Sequence, residues 1–243
     1  MTIGRAGVRT DGRGATDLRP VKLELGVLKW AEGSCRIRVG DTEVLCAATI
    51  EDRIPPHLRG SGTGWVTAEY SMLPRATAER TQRESAKGRI GGRTHEIQRL
   101  VGRSLRGVVD LAKLGERTVT VDCDVIQADG GTRCASITGG YVALGMALIK
   151  YGMERLLVHK VSAISVGMVE GHLLLDLDYS EDSRADVDFN VVGTDNATYV
   201  ELQGTAEHRP FSRQDVDRLL DLAGTGLQKL FALQAEALGT VKR

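Results

Sequence analysis

Asp122-Cys123-Asp124-Val125-Ile126-Gln127-Ala128-Asp129-Gly130-Gly131-Thr132-Arg133 sets the pattern for the rest of the chain, because it joins a strand pattern to a helix pattern through a glycine pair. β-branched residues predict a strand from about Arg117 to Ile126, and an apolar, Ala-rich run predicts a helix from about Ala135 to Tyr151. Two glycines at the junction let backbone approach a ligand with no Cβ in the way. The helix start beyond them offers unpaired N–H groups at the positive end of a dipole, which suits an anion. Thr132 adds a hydroxyl and Arg133 a cationic fork, so the turn reads as a phosphate cradle. It is not a P-loop, since the G-x-x-x-x-G-K-[ST] spacing is absent.

Upstream, Gly91-Gly92-Arg93-Thr94 repeats the same logic before a helix expected from about Thr94 to Asp110. Ile97, Leu100, Val101, Leu105 and Val108 give that helix an apolar stripe, while Arg99, Arg103 and Arg106 line up on another face. An Arg-rich loop, Pro74 to Gly92, precedes it. Strands are expected at Ser34 to Val39, Glu43 to Glu51 and Trp65 to Met72. A two-residue turn at Gly40-Asp41 would set Cys35 opposite Cys46 on the apolar face, as two reduced core thiols.

Downstream, strands are expected at Lys160 to Val169, Leu173 to Tyr179, Ala185 to Val192 and Tyr199 to Gln203. A last helix runs to about Leu238, with Ser212 and Asp215 in capping-box spacing at its start. Asp186, Asp188 and Asn190 alternate with Val187, Phe189 and Val191, so they share one strand face. Asp182, in the turn before, converges with Asp188 as an oxygen donor pair for a hard cation such as Mg²⁺. Helices and strands mix throughout, which places the fold in the α+β class as one unit spanning 1–243, with two αβ halves at about 15–115 and 116–243.

Composition narrows the function. Net charge is zero, yet residues 1–140 carry +5, the remainder −5, and the window Arg75 to Arg106 +6, a locally basic surface suited to phosphate groups. Aromatics make up 4% of the chain, against a stacking-based RNA-binding module. No C-x-x-C pair or ligand-spaced histidine cluster points to zinc. The first residues, Met1 to Arg9, lack the apolar core of a secretory signal, and the longest apolar run, Tyr141 to Ile149, is far short of a membrane span. A soluble cytoplasmic protein with no membrane partner is expected.

The blocks Gly64 to Arg75, Gly92 to Leu100, Asp122 to Arg133 and Glu181-Asp182-Ser183 with Asp188 occur in the order found in the ribonuclease PH family, which the chain resembles from about Arg19 to Leu238. The resemblance implies a ribosomal protein S5 domain 2-like fold, with mixed sheets packed against helices, assembled as a homohexamer, a trimer of dimers. It implies phosphorolytic 3′-to-5′ trimming of tRNA precursors and other RNA 3′ ends. Inorganic phosphate is then the co-substrate, nucleoside diphosphates leave, and the reaction reverses as nucleotide addition. Carried onto this sequence, Arg93, Gly131, Thr132 and Arg133 bind phosphate. Asp182 and Asp188 hold Mg²⁺ or Mn²⁺ and serve catalysis with Arg93 and Arg133. Arg75, Arg80, Arg83 and Arg99 meet RNA, Arg99 sharing with Arg103 and Arg106 the choice between RNA and a neighbouring subunit. Cys134 departs from the hydroxyl residue commoner at its position. The alternative reading is a catalytically silent RNA-binding ring subunit of an exosome-like assembly.

Overall fold

The computed structural model describes residues 9–242, so the leader reading of residues 1–8 lies outside it. Two sheets flank one central helix. The five-stranded sheet has the order β1-β2-β3-β5-β4, from β1 (Val21–Leu25), β2 (Gly33–Val39), β3 (Thr42–Glu51), β4 (Trp65–Met72) and β5 (Thr118–Gln127). The four-stranded sheet has the order β7-β6-β8-β9, from β6 (Val161–Val169), β7 (His172–Leu175), β8 (Val187–Thr194) and β9 (Tyr199–Ala206). All pairings are antiparallel except β4 with β5, which is parallel, a pairing that needs the long helical connection between them.

That connection holds a single turn α1 (Glu84–Lys87), the helix α2 (Gly92–Arg106) and another single turn α3 (Leu111–Leu114). Ile97, Leu100, Val101 and Leu105 of α2 are buried against the sheet, as their spacing requires. The central helix α4 (Thr132–Lys150) is buried on every face from Cys134 to Leu148, because the first sheet covers one side of it and β6 the other. A helix covered all round needs apolar and small residues throughout, which is its composition. The single turn α5 (Tyr179–Asp182) and the long C-terminal helix α6 (Arg213–Gly239) complete the chain, α6 packing on β6 and α4.

The turn at Gly40-Asp41 pairs Cys35 with Cys46, and β3 with β5 then pairs Cys46 with Cys123, so three free thiols cross the sheet in a row. Burial pushes the Cys35 thiol up to about 12, which keeps it protonated and inert. Several boundaries differ from those expected. β1 is an extra, short edge strand with Lys22 and Glu24 among its five residues, and its sheet partner among the described residues is β2. The strand expected to reach Tyr179 stops at Leu175, because Asp176 adopts a left-handed backbone with φ +55° and turns the chain into α5. β5, expected to open the second half, pairs inside the first sheet. Both long helices before residue 151 begin earlier than expected, at Gly92 and Thr132, and that shift decides how the site is built.

Candidate active site

Because α2 begins at Gly92 and α4 at Thr132, Arg93 and Arg133 each occupy the second position of a helix. Neither helix start has a side-chain cap or an acidic residue in its first turn. By contrast, α5 and α6 begin with complete capping boxes, Asp178 with Glu181 and Ser212 with Asp215. Open amides and positive dipole ends are therefore left at the two places where an arginine stands, and both favour an external anion.

The turn into α4 is held from behind by buried groups. Arg19, 4% exposed, donates through Nη1 to the Asp129 carbonyl, while its Nε and Nη2 meet the buried Asp176 carboxylate at 3.1 and 2.7 Å. Thr42 Oγ1 donates to the Gly130 carbonyl at 2.7 Å and accepts from the Asp129 N–H at 2.9 Å. Gly130 and Gly131 have φ of +73° and +66°, in the left-handed region. A Cβ on Gly130 would come within 2.8 Å of the backbone at Leu177 and Asp178. This glycine therefore serves close contact with the chain's own acidic loop, a reason that differs from the ligand approach expected of it. Thr132 is buried, its Oγ1 2.9 Å from Tyr70 Oη.

Across the cleft stand Asp182 at the end of α5 and Asp188 in β8. Arg93, Arg133, Asp182 and Asp188 line one cavity of about 540 Å³. An adjoining hollow of about 860 Å³ shares these four, takes in Gly131 and Thr132, and reaches Thr77 and Thr81 of the Arg-rich loop. Asn190 Nδ2 donates to Asp188 Oδ2 at 3.3 Å, and Asn190 Oδ1 accepts from the Cys134 thiol at 3.3 Å, so the thiol does here what a hydroxyl would do. Asp188 Oδ1 is buried with no hydrogen-bond partner among the described residues. Burial first, then the neighbouring Asp182 carboxylate, push the Asp188 carboxyl up to about 6. Asp182 is also raised, by burial, with Arg93 and Arg133 pulling the other way. A buried unpartnered carboxylate oxygen beside a second carboxylate fits a hard cation. No group of three or more His, Cys, Asp or Glu gathers as a metal cluster among the described residues, so water and substrate oxygens would complete the shell.

The other basic residues stand apart. Arg75, Arg80 and Arg83 are exposed on the loop before α2, and Arg99 is exposed on α2; none of the four lines either cavity. Arg103 pairs with Glu201 at 3.0 Å, and Arg106 stacks on Trp65 with its guanidinium 4.3 Å from the ring, donating to the Val66 carbonyl at 2.8 Å. Asp186 lies near Arg209 at 3.8 Å, outside the lining of both cavities. Sequence reasoning missed Arg19, Asp176, Tyr70, Glu96 and Gln203. Glu96 alone carries a local signal, at i+3 from Arg93. The others reach the site only through long-range packing.

The chain matches the model of the 3′ exoribonuclease family, domain 1 over residues 17–150 and domain 2 over residues 159–226. It is 55% identical over 239 residues to the ribonuclease PH of Moorella thermoacetica, covering 96% of each chain. It is 56% identical over 241 residues to that of Bacillus mycoides, covering 96% of this chain and 98% of the other. Among solved structures, rice (Oryza sativa) Rrp46 superposes with a TM-score of 0.78 at 22% identity, over 95% of this chain and 100% of the other. A chain of the Archaeoglobus fulgidus exosome with RNA bound to the active site gives 0.78 at 23% identity, over 93% and 92%. These structural neighbours establish the α+β, ribosomal protein S5 domain 2-like fold.

Proposed function

The chain belongs to the 3′ exoribonuclease family as a ribonuclease PH, and from that premise we propose that Arg93, Thr132 and Arg133 hold inorganic phosphate beside the last phosphodiester of an RNA. The enzyme is a phosphate-dependent 3′-to-5′ exoribonuclease that trims tRNA precursors and releases nucleoside diphosphates. One observation carries the site assignment: two uncapped helix starts, each with an arginine in its second position, face two carboxylates across a single cavity.

Bringing a free phosphate to a phosphodiester sets two anions against each other. Arg93, Arg133 and the amides at the start of α4 offset that repulsion and fix the attacking oxygen in line with the leaving 3′ oxygen. As the new P–O bond forms, the bond to the 3′ oxygen of the preceding nucleotide breaks. The terminal nucleotide leaves as a diphosphate, and the freed 3′ oxygen takes up the proton that the attacking phosphate gives up, so the shortened RNA ends in a 3′ hydroxyl. Positioning and electrostatics suffice, so no side-chain nucleophile is needed. Asp182 and Asp188 are the residues that would hold Mg²⁺ or Mn²⁺, which when bound neutralises charge on the phosphoryl oxygens. The unpartnered Asp188 Oδ1 supports that assignment.

Exposed Arg75, Arg80, Arg83 and Arg99 are placed on the RNA backbone, so binding weakens with salt. Assembly as a homohexamer, a trimer of dimers, and work in the cytoplasm complete the reading. Four free buried cysteines fit a reducing compartment, and among the described residues no helix is long and apolar enough to cross a membrane. The presence of every proposed phosphate ligand disfavours the silent ring subunit.

The test is incubation with a tRNA carrying extra 3′ nucleotides, with and without inorganic phosphate, separating nucleoside mono- and diphosphates. Diphosphates that form only with phosphate and are lost in Arg133→Ala support the site. Monophosphates without phosphate would mean hydrolysis and overturn it.

A further inference from the structure

We propose that Gln203 is a positioning residue for phosphate, acting through Arg133 as the middle of a chain from Glu96 to Gln203 to Arg133. The inference rests on reading Arg133 as a phosphate ligand. Arg133 Nη1 donates to Gln203 Oε1, and Gln203 Nε2 donates to Glu96 Oε1 at 2.5 Å. The three residues come from α4, β9 and α2, and all line the cavity with Asp182 and Asp188. Glu96 lies one helical turn beyond Arg93, so the chain links the helix that carries one arginine to the guanidinium of the other.

The chemistry of an amide suits this place better than a carboxylate. A side-chain amide has a donor end and an acceptor end, and which one faces Arg133 must be set by something else. Glu96 sets it. A carboxylate accepts only, so it takes the NH₂ end and leaves the carbonyl for the guanidinium. The flipped amide would place NH₂ against a cation and oxygen against an anion. Gln203 therefore aims the Arg133 fork while setting no charge of its own against it, which leaves the fork cationic for an incoming dianion. An acid at 203 would hold the fork and also neutralise it. A long arginine side chain loses considerable freedom when fixed, so a partner that fixes it beforehand reduces the cost of binding phosphate.

Phosphate titrations of 3′ trimming test this, with the KM for phosphate and the KM for RNA measured separately. Gln203→Ala is expected to raise the KM for phosphate about tenfold, the scale of one oriented charge-assisted hydrogen bond. Gln203→Glu should raise it further, to about 100-fold, because the carboxylate still holds the fork but cancels its charge and repels the incoming dianion. Glu96→Gln keeps an acceptor for the Gln203 amide and should fall below both. In an Arg133→Ala background, Gln203→Ala should add nothing, because its route to phosphate is gone. Calorimetric binding of inorganic phosphate makes the same comparison where Arg133→Ala leaves no turnover.

An additive loss in that background overturns the proposal. So does a rise in the KM for RNA in place of that for phosphate, or a fall in kcat and melting temperature with the KM for phosphate unmoved. If Arg133→Ala itself leaves phosphate binding intact, the reading of the site fails, and not only the role of Gln203.

Discussion

Gly91-Gly92-Arg93 and Gly130-Gly131-Thr132-Arg133 look alike on paper and are built differently. Both put a glycine pair at a helix start, and both deliver an arginine in the second helical position without a side-chain cap. In the second turn the glycines are required: both have positive φ, and the loop at Leu177 to Tyr179 lies against Gly130. In the first turn Gly91 has an ordinary φ of −71°, and a Cβ on Gly92 would meet nothing within 4 Å. The second turn is also tied to buried Arg19, Asp176 and Thr42, whereas Glu84 of a single exposed turn holds the first. One arginine thus sits on a fixed mount and the other beside the Arg-rich loop that precedes it. Similar motifs carry different physical demands, and the residues behind a glycine reveal which demand applies.

The sharpest way to break this contrast is Gly130→Ala. A left-handed backbone without glycine costs about 1–2 kcal/mol, and the contact with backbone at 2.8 Å cannot be relieved by moving a side chain. A loss of about 4 kcal/mol of stability is expected from strain and overpacking together, with trimming activity lost as the acidic loop moves from the phosphate turn. Denaturant melts and phosphate titrations check it; a stable, active variant would show that the loop yields easily.

Asp188→Asn probes what the second turn reaches through Cys134 and Asn190. The folded state raises this carboxyl from its ordinary value of 3.8 to about 6, so it disfavours the ionised form. Stability contributed by the protonated group is complete below pH about 4 and is lost as pH rises through about 6. In metal-free protein the Asn variant should therefore be more stable than the parent at pH 8, by about 3 kcal/mol at most. That advantage should vanish near pH 4 and shrink at pH 8 when Mg²⁺ is added. Equal melting of the two proteins at pH 8 without metal would mean that the buried charge is already compensated.

Glu84→Ala tests the lighter support of the first turn. Glu84 Oε1 accepts from the Gly91 N–H at 3.1 Å and from Thr94 Oγ1 at 2.8 Å. Its removal should cost about 1 kcal/mol and raise the KM for RNA more than the KM for phosphate, since the loop it steadies carries Arg75, Arg80 and Arg83, the proposed RNA contacts.

How much of this was legible beforehand follows from range. The turns, helix types and Cys35–Cys46 register depend on neighbours a few residues apart, and spacing alone located them. Asp182 and Asp188 were placed by strand alternation and a short turn. The support behind them was not legible: Arg19 meets Asp176 across 157 residues and Gln203 meets Arg133 across 70, and no local pattern encodes such pairs. The early starts of α2 and α4 were missed because glycine and threonine are poor helix formers, although the first turn of a helix tolerates them. Arg93 and Arg133 therefore share the second helical position only in the folded structure.

The smallest expected effect bears most directly on why glycine is there. Gly92 is the first residue of α2, with helical backbone and open space where a Cβ would stand. Gly92→Ala should stabilise the protein by about 0.5 kcal/mol, chiefly by restricting the unfolded chain, which in a protein of this length raises the melting temperature by about 1–2 °C. If the first turn binds phosphate through Arg93 alone, the KM for phosphate is unchanged. If the ligand comes close enough to the backbone that a methyl group obstructs it, that KM rises while the melting temperature still climbs. The second result would mean that the first glycine pair serves the ligand and the second serves the chain, the reverse of treating both as one phosphate-binding device.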